Sequence, residues 1–115
     1  DAAIGRMFPP AFQQAEPEVV KLRKQRLSEV DAQCFARACL ALAEMDLSPK
    51  LPSIRNPARV MCGALDLTTV PALAREVAAL IPGAEYHEII NSGHCPMLEQ
   101  PDDLVRLILE FVVAR

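Results

Sequence analysis

One of the two histidines in this chain lies where a side chain could take part in acid–base chemistry. His94 follows a strand-like segment, 85–90, and a turn-forming Asn-Ser-Gly sequence that by itself favours an ordinary surface loop. Asp66 follows a second strand-like segment, 58–64, whose last two residues are Gly63 and Ala64. The carboxyl ends of parallel strands meet at one edge of an open sheet, so we expect the two side chains on neighbouring loops. Because an aspartate beside a histidine fixes the tautomer and stabilises the protonated ring, His94 is predicted as a general base and Asp66 as the acid that orients it.

Other polar residues have more ordinary interpretations. Arg37 could pair with a substrate carboxylate, although a solvated helix arginine is the more common case. Glu99 is expected to cap the last helix or to hydrogen-bond backbone near it, and not to act as a second acid. His87, His94 and Cys95 do not form a metal-ligand pattern, because His87 lies within a strand and no acidic or cysteine cluster converges by spacing. The sequence therefore predicts no metal site.

The elements that must position Asp66 and His94 alternate between strand and helix. Strands are predicted over 58–64 and 85–90, with helices that open at Pro71 and Pro101. This order predicts an α/β fold over 56–115, with two parallel strands and flanking helices. The buried faces of the two helices are predicted to comprise Leu73, Ala74, Val77, Leu80 and Ile81 in the first, and Leu104, Leu107, Ile108, Phe111 and Val112 in the second.

Residues 1–55 are predicted to form a separate helical segment. Residues 1–16 contain two adjacent prolines and no sustained period, so an irregular lead-in is expected. A helix is predicted from Pro17, and Asp31 is suited to cap a second helix, which a proline-containing linker follows. The second helix carries an apolar stripe that is typical of a face buried against protein. This stripe consists of Phe35, Ala38, Cys39, Leu42 and Met45.

Composition and cysteine usage exclude several classes of protein. Of the 115 residues, 51% are hydrophobic and 23% are charged, which is typical of one globular domain. The formal net charge of -3 lacks the basic footprint of a nucleic-acid-binding protein. No apolar run approaches the roughly 20 residues that cross a bilayer. Unpaired cysteines without zinc-ligand spacing predict free thiols and a reducing cytoplasm. They are Cys34, Cys39, Cys62 and Cys95.

These residues resemble the C-terminal half of the α/β-hydrolase superfamily. The similarity comprises G-x-x-D-x-x-x-x-P over 63–71, Ile-Pro-Gly-Ala over 81–84, and Gly-His followed by Met-Leu-Glu-Gln-Pro over 93–101. In that family the aspartate at the position of Asp66 is the acid of a catalytic triad, and the histidine at the position of His94 is its base. The resemblance therefore implies both roles, without a cofactor.

A second resemblance covers the first half of the chain. The sequences Phe-Pro-Pro-Ala-Phe over 8–12, Glu-Pro over 16–17 and Met-Asp-Leu over 45–47 resemble the cap of 3-oxoadipate enol-lactonases. This similarity implies a helical cap over 1–55 and an ester or lactone substrate, with the enol-lactone of 3-oxoadipate as a candidate. The stretch around His94 follows the general hydrolase pattern more closely than the lactonase form.

The nucleophile of such a triad is not recognisable in this sequence. The family's serine lies in a G-x-S-x-G sequence that precedes the acid. None of the four serines has glycine two residues away on both sides, and the loop that forms the oxyanion hole has no counterpart. The chain by itself is therefore expected to be inactive, with a nucleophile that lies outside it.

The predicted sheet is also expected to need a partner. Two strands make a marginal sheet, and the apolar strand from Ala58 to Ala64 is typical of a sheet interior. We expect an N-terminal hydrolase part in trans, or a second copy of the chain, to pair with it. The first residue, Asp1, is not methionine, which suggests an internal piece, a processed product or a trimmed chain. The alternative to an enzyme is a non-catalytic α/β fragment that self-associates or binds a partner.

Overall fold

The computed structural model describes residues 2–114. Helices and a 3₁₀ helix at Ser48–Ser53 precede a part in which strands and helices alternate. The elements are α1 (Ala2–Met7), α2 (Pro10–Ala15), α3 (Pro17–Ser28), α4 (Ala32–Glu44), β1 (Arg59–Gly63), α5 (Pro71–Leu80), β2 (Glu85–Ile89), α6 (Pro96–Glu99) and α7 (Pro101–Val113).

β1 and β2 form a parallel two-stranded sheet, which confirms the predicted α/β fold. The register aligns Gly63 with Ile89, so both strands end at the same edge. Beyond this edge, the Ala64 N–H donates to the Ile89 carbonyl at 2.9 Å. The Leu65 N–H donates to the Ser92 carbonyl at 2.8 Å. The loops that follow the two strands are therefore bonded to each other.

Gly63 lets these two loops approach closely. A Cβ atom at this position would lie 2.0 Å from the carbonyl oxygen of Gly93 and 2.5 Å from that of Ser92. Any side chain would push the loop that carries Asp66 away from the loop that carries His94, because both contacts are with backbone atoms. The glycine that ends β1 thus sets the separation of the two candidate site residues.

The N-terminal segment forms helices, so the prediction of an irregular lead-in over residues 1–16 was wrong. Pro9 has φ -58° and ψ 150°, which separates α1 from α2, and proline occupies the first turn of α2. Ile4 and Phe8 are buried in a cluster with Val20 and Cys95. Helices of six residues are too short to show a period in the sequence. Asp1 lies outside the described residues.

α4 forms where it was predicted, but its apolar stripe is not buried within this chain. Asp31 caps the helix through a hydrogen bond from the Cys34 N–H at 2.8 Å, as expected. No residue of α4 is buried, and Phe35, Leu42 and Met45 are 58%, 65% and 53% exposed. The period of the stripe correctly predicts a helix, whereas burial requires another surface that covers it.

α5 and α7 also bury less than their sequences predict. Ile81 is buried as expected, Ala78 is the buried residue within α5, and Leu107 is the buried residue within α7. Neighbouring strands lie about 5 Å apart, whereas a helix with its side chains is about 10–12 Å wide, so two strands cannot cover a full helix face. The predicted core residues that are exposed instead are Leu73, Val77, Leu80, Ile108 and Val112.

Arg59 joins the two strands to the last helix. Its guanidinium forms an ion pair with Glu85 on β2 and donates to the carbonyl of Leu107 on α7. The same group lies 5.0 Å from the centre of the Phe111 ring. The Arg59 side chain is 10% exposed, so these contacts replace most of its hydration.

Candidate active site

Asp66 and His94 lie against each other at the carboxyl ends of the two strands. The distance between His94 Nδ1 and Asp66 Oδ2 is 2.9 Å. The Asp66 side chain is 5% exposed and the His94 side chain is 34% exposed. The predicted contact between the two loops is confirmed. Because Asp66 engages Nδ1, the opposite ring nitrogen, Nε2, is left for a reacting group, as an acid–base histidine requires.

The Asp66 carboxylate is held by the loop that follows it. The backbone N–H groups of Thr68 and Thr69 donate to Oδ1 at 2.7 and 3.0 Å. The Thr69 hydroxyl donates to Oδ2 at 2.9 Å. Burial by itself raises the pKa of Asp66, but the hydrogen bonds from His94, Thr68 and Thr69 outweigh burial and hold that pKa below its usual value. Asp66 is therefore ionised at neutral pH, which is the form that orients an imidazole.

Thr69 is a site residue that was not predicted. Its hydroxyl oxygen lies 3.4 Å from His94 Nδ1 as well as within hydrogen-bond distance of Asp66. An aspartate often accepts hydrogen bonds from backbone two residues further along in an Asx-turn, and this tendency could have indicated that residues 66–69 form one unit.

Three successive backbone N–H groups hold the His94 loop. The Gly93 N–H donates to one oxygen of the Glu99 carboxylate at 2.6 Å, and the Cys95 N–H donates to the other at 2.9 Å. Between them, the His94 N–H donates to the Met7 carbonyl at 2.8 Å. Glu99 is buried, and the prediction that it hydrogen-bonds backbone near the last helix is confirmed.

The turn sequence before His94 serves this close packing. Asn91 has a φ of 58°, a left-handed conformation that asparagine adopts more readily than most residues. A Cβ atom on Gly93 would lie 2.7 Å from the Met7 carbonyl oxygen and 2.8 Å from Pro9 Cδ. The turn that could belong to an ordinary surface loop is therefore packed against the N-terminal segment.

Two clefts flank the pair. One, of about 380 Å³, lies beside Asp66, between the loop after β1 and the N-terminal segment. The other, of about 220 Å³, has His94 in its wall. The remaining lining residues of the second cleft are Ala3, Arg6, Met7, Leu27, Phe35 and Thr68. Helices α1, α3 and α4 therefore share a cleft with His94.

The other polar residues singled out in the sequence lie in ordinary positions. Arg37 is exposed on α4, and His87 lies in β2. Among residues 2–114, no group of three or more histidine, cysteine, aspartate or glutamate side chains is placed to hold a metal ion. The four cysteines carry free thiols, and two of them, Cys62 and Cys95, are buried. In the described part of the chain, every helix is too short or too polar to span a bilayer.

Residues 2–107 match the alpha/beta hydrolase family. The chain belongs to this family. The match runs from the first described helix into α7, so the helical segment before β1 is part of the similarity as well as the strands that carry Asp66 and His94.

Enol-lactonases are among the members of the hydrolase family that this chain resembles. It is 33% identical over 99 residues to 3-oxoadipate enol-lactonase 2 from Acinetobacter baylyi, which is 86% of this chain and 37% of that protein. The crystal structure of the enol-lactonase from Burkholderia xenovorans superposes with a TM-score of 0.93 at 32% identity, over 98% of this chain and 43% of that one. The predicted resemblance to these enzymes is confirmed.

An esterase shows the same likeness at lower identity. The malate-bound thermophilic esterase from Thermogutta terrifontis has a TM-score of 0.87 at 28% identity, over 96% of this chain and 41% of that one. This chain thus spans less than half the length of each of these relatives.

Proposed function

We propose that this chain supplies the acid and the base of a catalytic triad to a serine hydrolase that cleaves a carboxylic ester or lactone. The observation that carries the proposal is the 2.9 Å contact between His94 Nδ1 and the buried carboxylate of Asp66. A buried, ionised acid on one ring nitrogen and partial exposure of the ring are what a general base in such a triad needs.

The proposed reaction uses His94 twice. Asp66 accepts the Nδ1–H, so the Nε2 lone pair takes the proton from a serine hydroxyl as the serine oxygen attacks the ester carbonyl carbon. The protonated ring then gives that proton to the departing alcohol or enol oxygen, which leaves an acyl-enzyme. In the hydrolysis of the acyl-enzyme, Nε2 takes a proton from a water molecule as the water oxygen attacks the acyl carbon. Nε2 then gives this proton to the departing serine oxygen. No residue is consumed, and the net change is addition of water across the ester bond.

The serine of this triad would come from outside the 115 residues. In the sequence, no serine lies in a G-x-S-x-G pattern. In the structure, the hydroxyls of Ser28, Ser53 and Ser92 donate to carbonyls of nearby residues. We therefore infer that the chain alone is inactive, and that an N-terminal hydrolase part carries the nucleophile and the oxyanion donors.

The candidate substrate is the enol-lactone of 3-oxoadipate. Two lines support it: relatives with that name match most of the chain, and α1, α3 and α4 share the cleft that has His94 in its wall. We propose that residues 1–55 act as a cap over the substrate and that residues 56–115 carry the acid and the base. The four free thiols support a cytoplasmic location.

Reconstitution tests this function. We expect this chain, co-expressed with an N-terminal hydrolase part that contains G-x-S-x-G, to hydrolyse p-nitrophenyl acetate or 3-oxoadipate enol-lactone. His94→Ala and Asp66→Asn should each lower kcat by about 10⁴-fold or more, as the loss of a triad residue does in serine hydrolases. His87→Ala and Asp102→Asn are the matched controls, and they should leave the rate unchanged. Full activity in either triad variant would rule out the assignment.

A non-catalytic role as a self-associating module is the second candidate. It is favoured by β1, an apolar strand that pairs only with β2 within the described residues. This role would be supported if the chain associates with copies of itself and yields no hydrolysis with any N-terminal hydrolase part.

A further inference from the structure

Glu99 is a buried acid that does not touch the Asp66–His94 pair. It is 8% exposed and lies at the end of α6, and Gln100 separates it from the proline that starts α7. A buried charge is costly unless hydrogen bonds replace its hydration. Two hydrogen bonds, one to each oxygen of the Glu99 carboxylate, replace part of this hydration. The partners of these bonds suggest a role beyond stability.

The two donors flank the candidate base. Glu99 accepts from the Gly93 N–H and from the Cys95 N–H, so a single carboxylate holds the amides of both residues next to His94. The N–H of His94 itself is fixed by the Met7 carbonyl. All three amides of the segment are therefore engaged, two of them by one side chain.

We propose that Glu99 is a positioning residue for His94. By holding the backbone on either side, it fixes the direction in which the ring leaves the chain, and hence keeps Nδ1 on Asp66. A backbone shift of about 1 Å would stretch the 2.9 Å contact beyond hydrogen-bond range. The geometric part of this proposal concerns the chain as it is, while the consequence for catalysis rests on the proposed function.

The test uses NMR spectroscopy of the full 115-residue chain labelled with ¹⁵N. Two histidines are present, so a His87→Gln variant assigns the ring signals of His94. The readouts are the share of the neutral His94 ring that carries its proton on Nδ1, and the hydrogen-exchange rates of the Gly93 and Cys95 amides. The variants are Glu99→Gln, which keeps one acceptor oxygen, and Glu99→Ala, which keeps none. Glu110→Gln is the control, because that carboxylate pairs with Arg106 on an exposed face of α7.

We expect the parent and Glu110→Gln to hold the Nδ1–H form of His94. In Glu99→Gln this form should decrease, and the two amides should exchange about tenfold faster or more, because hydrogen bonds to charged groups contribute at least that factor. Glu99→Ala should show larger changes in both. The chemical shifts of Tyr86 and His87 should be unchanged, since both residues lie in β2 and show whether the sheet is intact.

Two outcomes would overturn the proposal. One is an unchanged share of the Nδ1–H form of His94 in both Glu99 variants. The other is loss of the Tyr86 and His87 signals in Glu99→Gln, which would make Glu99 a residue of general stability. Neither readout needs a nucleophile or a substrate. A chain that keeps the Glu99-dependent ring geometry but yields no hydrolase on reconstitution would contradict only the proposed function.

Discussion

Asp66 accepts four hydrogen bonds, and only one of them comes from His94. The other three come from Thr68 and Thr69, within the same loop. The acid is therefore fixed before the histidine contributes, and the ring can change its protonation state against a stationary carboxylate. This is the preorganisation that electrostatic stabilisation of an imidazolium requires.

The Thr69 hydroxyl gives a residue-scale prediction. It shares Oδ2 of Asp66 with His94 and is one of the groups that lower the pKa of Asp66. We expect Thr69→Val, which keeps the shape but removes the donor, to raise the pKa of Asp66 toward the ordinary value. Thr69→Ser keeps the hydroxyl and should leave it in place. The ¹³C signal of the Asp66 carboxyl, followed over a pH titration, measures this. Identical titrations in Val and Ser variants would show that the hydroxyl has no influence.

The sequence predicted some of these residues and not others for a physical reason. Asp66 and His94 could be predicted because each follows a strand and the ends of parallel strands converge. Glu99 could be predicted as a backbone partner because it lies close to a helix start. The Met7 carbonyl could not, because every residue offers the same backbone oxygen. Its contribution depends on where α1 ends in three dimensions.

At the scale of elements, the Tyr86 side chain on β2 contacts Pro71 and Arg75 on α5. Burial, followed by a hydrogen bond that the hydroxyl donates to Glu88, raises the pKa of Tyr86 to about 12. The Arg75 guanidinium, 5.5 Å from the centre of the ring, opposes this shift. An unfolded tyrosine ionises near pH 10, so the neutral phenol favours the folded state below that pH. This contribution is lost as the pH rises from about 10 through about 12.

The phenol titration can be read directly, because the chain has one tyrosine and no tryptophan. Tyrosinate absorbance, recorded within milliseconds of a pH jump so that the chain stays folded, should rise near pH 12. Glu88→Gln should move the midpoint toward 10, since it removes the charge and weakens the bond. Glu76→Gln changes an exposed acid on α5 and is the control. A parent midpoint near 10 in the folded chain would contradict the packing of Tyr86.

Sequence periodicity predicted where a long helix forms but not which surface covers it. The stripe of α4 correctly predicted a helix and its cap at Asp31. It did not predict which surface would cover that stripe, because hydrophobic spacing defines a face and not its partner. The sequence did not predict α1 and α2, because neither shows a hydrophobic period. Both helices are too short to show a period, yet Ile4 in α1 and Phe8 just after it are among the most buried residues.

At the scale of the whole molecule, apolar surface is left exposed on several elements. The side chains of Leu40 and Leu42 on α4 and of Val112 and Val113 on α7 are all more than 60% exposed. β1 presents one unpaired edge within residues 2–114, and its charged side chain, Arg59, is turned onto Glu85 and α7. Edge strands in isolated proteins usually carry charge that blocks further pairing. Here the charge of Arg59 cannot block pairing, because its guanidinium binds Glu85 and the Leu107 carbonyl.

We therefore predict that the isolated chain associates through β1. Backbone N–H and C=O groups on an apolar, uncharged edge form hydrogen bonds with a second strand at little cost, whereas a lysine on that edge opposes pairing. Sedimentation velocity over a range of concentrations should show reversible association of the parent. Met61→Lys, in β1, should weaken it by about tenfold or more, a change of roughly 1.4 kcal/mol. Leu42→Lys places the same charge on the exposed face of α4 and should leave association unchanged. A parent that stays monomeric, or association lost in Leu42→Lys and kept in Met61→Lys, would refute pairing through this edge.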